Sequence, residues 1–367
     1  MPTVQALGAD GAYAPNEAAE PFLPYLEALG EEDHRRFYRE MVRVRRFDRE
    51  AANLQRQGQL ALWVPSHGQE AAQVGSALAS KPHDHIFPSY REHVVGLIRG
   101  LDLVDILRML KGVTLGGWVP EENGNFHLYT LVLASQTLHA TGYAMGLQFD
   151  GATATGDADR DEAVIVYYGD GASSQGDANE ALVFAASYQT PQVFFLQNNG
   201  WAISVPVERQ SRTPLALRGR GFGMRADRID GNDVLASYAV TAKHLDDARS
   251  GKGPALIEAM TYRVGAHTTA DDPTKYRTDA ALEEWVQRDP IARMTAFLKA
   301  RGVDQAFLDE VDEEAADFAA DARRRALEIV GPDVDVIFDN VYAEPHPVLA
   351  EQRAWFEAYE ASFEEAE

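Results

Sequence analysis

The chain has 367 residues, enough for one large α/β unit or two to three ordinary domains, and its 45% hydrophobic and 25% charged residues match globular averages, which argues against disorder. Lys+Arg 34 against Asp+Glu 57 gives a formal charge of −23, so the chain-wide positive field that draws nucleic acid is absent. With no cysteine, disulfides, thiolate metal sites and cysteine nucleophiles are excluded together, and because no apolar run approaches the roughly 20 residues of a membrane span, the chain reads as soluble and cytoplasmic.

Residues 1–30 are rich in Gly, Ala, Pro and Glu without periodicity, which predicts an extended arm that needs another surface to order it. From Glu31 to Gln57, Phe37, Met41, Val44 and Phe47 fall at helical spacing and Gly58 ends the helix. Further helices are expected over Gln69–Leu78, from about Tyr90-Arg91 after the Phe87-Pro88-Ser89 turn signal, and over Leu103–Lys111, followed by a Gly-rich loop from Gly112 to Asn125. Two runs, Val164-Ile165-Val166-Tyr167-Tyr168 and Val193-Phe194-Phe195-Leu196, are apolar on both faces and read as buried strands of a parallel sheet. Asp177–Tyr188 between them has helical spacing, so the three form a βαβ unit. A further strand is expected at Ala255–Tyr262 and helices after Ala280, with acidic faces near Glu310–Glu314 and Glu364–Glu367. The fold class is therefore α/β, a parallel sheet flanked by helices, divided into an arm (1–30), an α/β domain (31–330) and a helical C-terminal extension (331–367).

Gly169-Asp170-Gly171 ends the first buried strand and Asn198-Asn199 ends the second. In an open parallel sheet ligands sit beyond the carboxyl ends of the strands, so both elements open into one crevice. Asp170 and Asn199 supply two hard oxygen ligands suited to Mg²⁺ or Ca²⁺, and the Trp201 carbonyl offers a third. Gly171 and Ala172 are read as opening a helix whose free N–H groups would seat a phosphate. A metal beside a phosphate seat points to a diphosphate.

Gly169-Asp170-Gly171-Ala172-Ser173-Ser174-Gln175-Gly176-Asp177 and Asn198-Asn199-Gly200-Trp201-Ala202-Ile203-Ser204 resemble the thiamine-diphosphate signature of the α subunit of two-chain 2-oxo acid dehydrogenases, the E1 component. His67-Gly68-Gln69-Glu70-Ala71, Phe87-Pro88-Ser89-Tyr90-Arg91-Glu92-His93 and Tyr262-Arg263-Val264-Gly265-Ala266-His267-Thr268-Thr269-Ala270-Asp271-Asp272 are similar to the same family, and the likeness runs from about Arg35 to Pro290.

The resemblance implies a thiamine-diphosphate-binding fold, thiamine diphosphate and Mg²⁺ as cofactors, and Asp170, Asn199 and Trp201 around the metal. It implies that Tyr90 and Arg91 contact the diphosphate, the Arg fork pairing phosphate oxygens, and that Gly169, Gly171 and Ala172 lie against the coenzyme. Ile203 and Leu133 would hold the coenzyme bent, with backbone contacts from Leu131. His267 would be catalytic, near the diphosphate and the incoming lipoyl group, and Asp271 and Asp272 beside it are expected to favour a protonated imidazole. The implied reaction is oxidative decarboxylation of a 2-oxo acid with acyl transfer to the lipoyl group of an E2 acyltransferase, in an α₂β₂ heterotetramer whose β chain supplies the glutamate facing the aminopyrimidine.

Departures concern the substrate. Ala266 stands where relatives often carry a second His, Gln197 where some carry an acidic or basic residue, and Leu62 where several carry Phe. Asn199–Ser204 and Val264–Thr268 are closer to branched-chain enzymes, with 3-methyl-2-oxobutanoate as substrate type, whereas Val205–Gln210 resembles pyruvate enzymes. An acetoin dehydrogenase α chain would share every cofactor residue, and a non-catalytic assembly subunit would carry a damaged metal site. Thr268 and Thr269 occupy a loop phosphorylated in some relatives. The small residues Ala140, Gly142, Ala144 and Gly146 suit close helix packing, at a subunit contact or within the chain.

Overall fold

The computed structural model describes residues 1–114 and 117–364. Residues 115–116 of the expected Gly-rich loop and 365–367 of the acidic end segment lie outside the described residues. The strands are β1 (Thr3–Val4), β2 (His85–Phe87), β3 (Val164–Gly169), β4 (Gln192–Asn198), a two-stranded hairpin of β5 (Trp201–Ala202) and β6 (Val205–Pro206), β7 (Arg225–Asp230) and β8 (Ala255–Met260). Six of them form one parallel sheet in the order β1-β7-β8-β4-β3-β2.

The two apolar runs become β3 and β4 at the centre of this sheet because both of their faces are covered. Successive residues point to opposite faces. Ile165, Tyr167, Val193 and Phe195 join a core shared with the helices Glu31–Arg56, Glu70–Ala79 and Val234–Arg249. Val164, Val166, Tyr168, Phe194 and Leu196 join a second core under the helices Ser135–Phe149 and Gly176–Tyr188. The expected crossover between β3 and β4 is present as Gly176–Tyr188, and the helix after Gly30 spans Glu31–Arg56, with the Gly30 N–H donating to the Asp33 carboxylate at 2.8 Å. Gly75 lets two helices of the first core touch, since a Cβ there would stand 2.7 Å from both Ser237 Cβ and the Val234 carbonyl oxygen.

The surface that orders the expected arm of residues 1–30 is the chain's own. β1 pairs with the edge strand β7, Thr3 opposite Arg228 and Val4 opposite Ile229. The buried Asp233 carboxylate accepts from Ala6 N and Leu7 N, both at 2.6 Å, while its other oxygen caps Leu235 N and Ala236 N at the start of Val234–Arg249. The carboxyl ends of β3 and β4 are left free of covering helices, and that is where the site lies. Among the described residues no helix is long and apolar enough to cross a membrane.

Candidate active site

Register brings the two strand tips together. β3 and β4 pair through Gly169 opposite Gln197, so Asp170 and Asn199 leave the sheet side by side, and Asn199 N donates to Asp170 Oδ1 at 3.3 Å. Gln210 Nε2 donates to Asp170 Oδ2 at 3.0 Å, and Asn199 Oδ1 accepts from Trp201 N at 3.2 Å. Asp170 is only 1% exposed, and among the described residues no Lys or Arg forms an ion pair with it. Burial therefore pushes its carboxyl up to about 6, against the lowering effect of these hydrogen bonds and of Arg263. A buried carboxylate that lacks a cation, beside an amide oxygen and the Trp201 carbonyl, suits a divalent ion.

Asp170 faces a cavity of about 520 Å³, and every site residue singled out in the sequence lines this cavity or its mouth. Tyr90, Arg91 and His267 stand on one side, Leu131 and Leu133 on a second, Gly169, Gly171 and Ala172 on the floor, and Trp201 and Ile203 on the hairpin. Arg91 is buried without an ion-pair partner among the described residues. It donates through Nη1 to the Pro65 carbonyl and through Nη2 to the His267 carbonyl (3.0 Å) and Nδ1 (3.2 Å). Burial lowers the Arg91 pKa, with nearby Tyr90 and Glu92 opposing. A buried guanidinium without a carboxylate in a cavity suits an anionic ligand. Gln69 Nε2 and Gln136 Oε1, both in the cavity lining, are buried without a hydrogen-bond partner. The residues thus fit a long ligand with an anionic, metal-bound tail and an apolar body, as thiamine diphosphate is.

The structure departs from two of the expectations. Gly171 and Ala172 do not open a long helix: Ala172–Ser174 is a single 3-10 turn, and the helix starts at Gly176 after an extended Gln175. Ser173 Oγ donates to the Asp170 carbonyl and Arg218 donates to the Ser173 carbonyl, which holds the turn apart from the helix. His267 is not protonated. Asp271 spends its carboxylate on His267 N and Tyr276 Oη, and Asp272 on Thr274, so neither hydrogen-bonds the ring, and the raising effect of Asp271 is outweighed. Burial, Arg91 and Arg263 bring the imidazole down to about 4. Because a guanidinium only donates, His267 Nδ1 accepts and the neutral ring carries its proton on Nε2.

The third helix also begins later than expected, at His93 rather than Tyr90-Arg91, and the cause is Glu92. Its buried carboxylate accepts from Ser89 N (2.7 Å), Ser89 Oγ (2.8 Å), Arg91 N (3.3 Å) and Gln197 Nε2 (2.5 Å), which fixes Ser89–Arg91 as a turn. Gln73 Nε2 donates to Gln197 Oε1 at 3.0 Å and to the Arg91 carbonyl at 3.3 Å, so the network ties β4 to the turn that delivers Arg91. No role was read for Glu92 in the sequence, where an acid beside an Arg looks like a solvated pair.

Nothing local in the sequence marks the role of Arg263 either. Fully buried, it donates to the Ile203 carbonyl at 2.6 Å, to Tyr276 Oη at 2.7 Å and, weakly, to the Trp201 carbonyl at 3.5 Å. That grip holds Ile203 at a φ of 53°, which a β-branched residue rarely adopts, and leaves the residue 54% exposed in the cavity lining.

A sequence profile described as the dehydrogenase E1 component matches residues 38–332. The chain belongs to the dehydrogenase E1 family. It is 43% identical over 352 residues, 95% of this chain and 92% of the relative, to the 3-methyl-2-oxobutanoate dehydrogenase subunit alpha of Mycobacterium tuberculosis. It is 36% identical over 353 residues to the pyruvate dehydrogenase E1 component subunit alpha of Bacillus cereus, covering 95% of this chain and 91% of the relative. The corresponding subunit of Acholeplasma laidlawii is 38% identical over 342 residues, covering 92% and 94%. The chain is thus an E1 α subunit of a 2-oxo acid dehydrogenase complex, an oxidoreductase of a thiamine-diphosphate-dependent family, and its parallel sheet is that family's coenzyme-binding fold.

Proposed function

We propose that this E1 α chain binds thiamine diphosphate and Mg²⁺ in the 520 Å³ cavity and, paired with a β chain in an α₂β₂ unit, acts on a branched-chain 2-oxo acid of the 3-methyl-2-oxobutanoate type. The observation that carries the reading is the meeting of a cation-deficient pair, Asp170 and Asn199, with the unpaired Arg91 in one cleft. Asp170, Asn199 and the Trp201 carbonyl would hold the metal; Tyr90 and Arg91 would bind the diphosphate. Leu133 and Ile203 would support the coenzyme's bend, with Leu131 at the cavity mouth. When bound, the thiazolium ring supplies the carbon that adds to the keto group and the electron sink for decarboxylation.

The chain's own residues bind, orient and exclude water. The neutral His267 holds its proton on Nε2 and offers it as a hydrogen bond to the substrate or the lipoyl group arriving on an E2 acyltransferase. Leu62 and Val64 add aliphatic wall to the cavity, and an aliphatic wall favours a branched acyl chain over a methyl group by about 1–3 kcal/mol per methylene. Residues 331–367 are taken as an extension of the catalytic domain, whose sheet takes in β1 of the first thirty residues.

The test is turnover of the reconstituted α/β complex on 3-methyl-2-oxobutanoate and on pyruvate with lipoylated acceptor. A tenfold or greater preference for the branched substrate is expected. A pyruvate preference would assign the chain to the pyruvate type, as in the Bacillus cereus relative, and an absence of metal-dependent coenzyme binding would reduce it to an assembly subunit.

A further inference from the structure

Behind the active-site wall lies a second cavity of about 420 Å³, within the size range of small-molecule sites. The wall is made of two segments, 62–69 and 264–271. Val64, Gln69, His267 and Thr268 face the front cavity, whereas Pro65, His67, Ala266 and Thr269 face the rear one.

The rear cavity is basic in a chain of net charge −23: Arg45, Arg49, Arg56 and Arg277 line it against Asp48 and Asp271. The carboxylates are already committed. Asp48 Oδ1 accepts from Trp63 Nε1 and Ser66 N, and Asp271 accepts from His267 N and Tyr276 Oη. Two of the four guanidinium groups are not. Arg49 and Arg56 make no hydrogen bond or ion pair among the described residues, and Arg45, although paired with Glu70 and Asp289, keeps a buried Nη2 without a partner. Arg45, Arg49 and Arg56 share one face of the helix Glu31–Arg56 at spacings of four and seven, so all three stand in a row along one wall of the cavity. Arg277 donates to the carbonyls of Arg263, Val264 and Gly265, which joins this cluster to the wall itself.

We propose that the rear cavity is a second anion site that takes the phosphate group of a small molecule, with Arg45, Arg49 and Arg56 as its donors, and that its occupancy stiffens the 264–271 segment from behind. Several guanidinium forks along one wall offer more donors than a single carboxylate can use and match the several oxygens of a phosphate. The site does not depend on what the front cavity binds.

The test uses the α/β complex saturated with thiamine diphosphate and Mg²⁺, so that added phosphate has no access to the front cavity. Inorganic phosphate and, separately, phosphoserine are titrated calorimetrically at matched ionic strength into this complex and into the R49A/R56A complex, both substituted residues being exposed. Saturable binding is expected, weakened at least tenfold in the double variant, together with slower amide exchange over 264–271 that the variant loses. Tighter binding of phosphoserine would identify a phosphate ester as the occupant, and tighter binding of inorganic phosphate the free ion. No saturable binding, or equal binding by the variant, overturns the proposal. Failure of coenzyme binding would show in the saturation step, so the two readings fail separately.

Discussion

Gly171→Ala tests the coenzyme site without removing any functional group. Gly171 has φ −61° and ψ −43°, an ordinary right-handed backbone, so alanine brings no strain of its own. Its Cβ, however, would stand 2.7 Å from Ala202 Cβ, whereas carbon atoms settle at about 3.5–4.0 Å. The hairpin β5–β6 must therefore retreat by roughly 0.8 Å, carrying with it the Trp201 carbonyl on one side of Ala202 and Ile203 on the other. Overpacking of this kind costs about 1–3 kcal/mol, and if the hairpin must return to meet the ligand, affinity for thiamine diphosphate falls roughly five- to 150-fold. Calorimetric titration of the α/β complex at fixed Mg²⁺ measures this, with circular dichroism to confirm the fold. Adding Ala202→Gly removes the colliding carbon and should restore most of the affinity. Wild-type affinity in the single variant, or no recovery in the double, would refute the close approach between the strand tip and the hairpin.

Ile203→Gly relieves a backbone strain of about 1–2 kcal/mol, offset by glycine's entropy cost of about 0.5–1 kcal/mol, so stability in thermal unfolding should change by no more than about 1.5 kcal/mol while turnover falls at least tenfold. A stability loss without a turnover loss would mean that the side chain is structural. The Asp170 carboxyl, raised to about 6 by burial, must ionise to hold a cation, so Mg²⁺ affinity should be flat above pH 7 and fall toward tenfold per unit below about 6. Its stability effect has the opposite sign: with the folded pKa above the unfolded value, this group adds stability as pH falls from 6 toward 4. Mg²⁺ affinity independent of pH between 5 and 7 would remove Asp170 from the metal site. Glu92→Ala strands the Ser89 and Gln197 donors in the interior at about 1–3 kcal/mol each and should raise the coenzyme KM far more than it lowers kcat, with Glu92→Gln intermediate; an unchanged KM would show that the turn keeps its shape unaided.

The sequence declared those parts whose chemistry is local. Two apolar runs covered on both faces can only be central strands, and a polar pair at their ends can only meet at the sheet's carboxyl edge, so β3, β4, Asp170 and Asn199 were legible. β7 was not, because Arg225-Ala226-Asp227-Arg228-Ile229-Asp230 has few apolar residues and owes its place to pairing with β8. The helix Val234–Arg249 escaped notice for the opposite reason: most of its circumference is buried, which erases the apolar stripe that periodicity detects. Glu92 and Arg263 stood inside motifs that had been noticed, yet their roles lie in which backbone groups they reach, and that is set by tertiary packing. The protonation of His267 failed on the same ground. Asp271 and Asp272 are near in sequence but turned onto their own loop, and the neighbour that decides is Arg91, 176 positions away.

The pairing of β1 with β7 joins Val4 to Ile229, so the first strand of the chain has no partner until more than two hundred further residues have been made. During synthesis that segment waits, and loop-closure entropy places its docking after β3 and β4 have found each other, which need only one short crossover. Until then the flank of β7 lies open to strands from other molecules. Deleting the first seven residues would prolong that vulnerable interval indefinitely, so the shortened protein should precipitate on refolding from denaturant while its central strands still assemble.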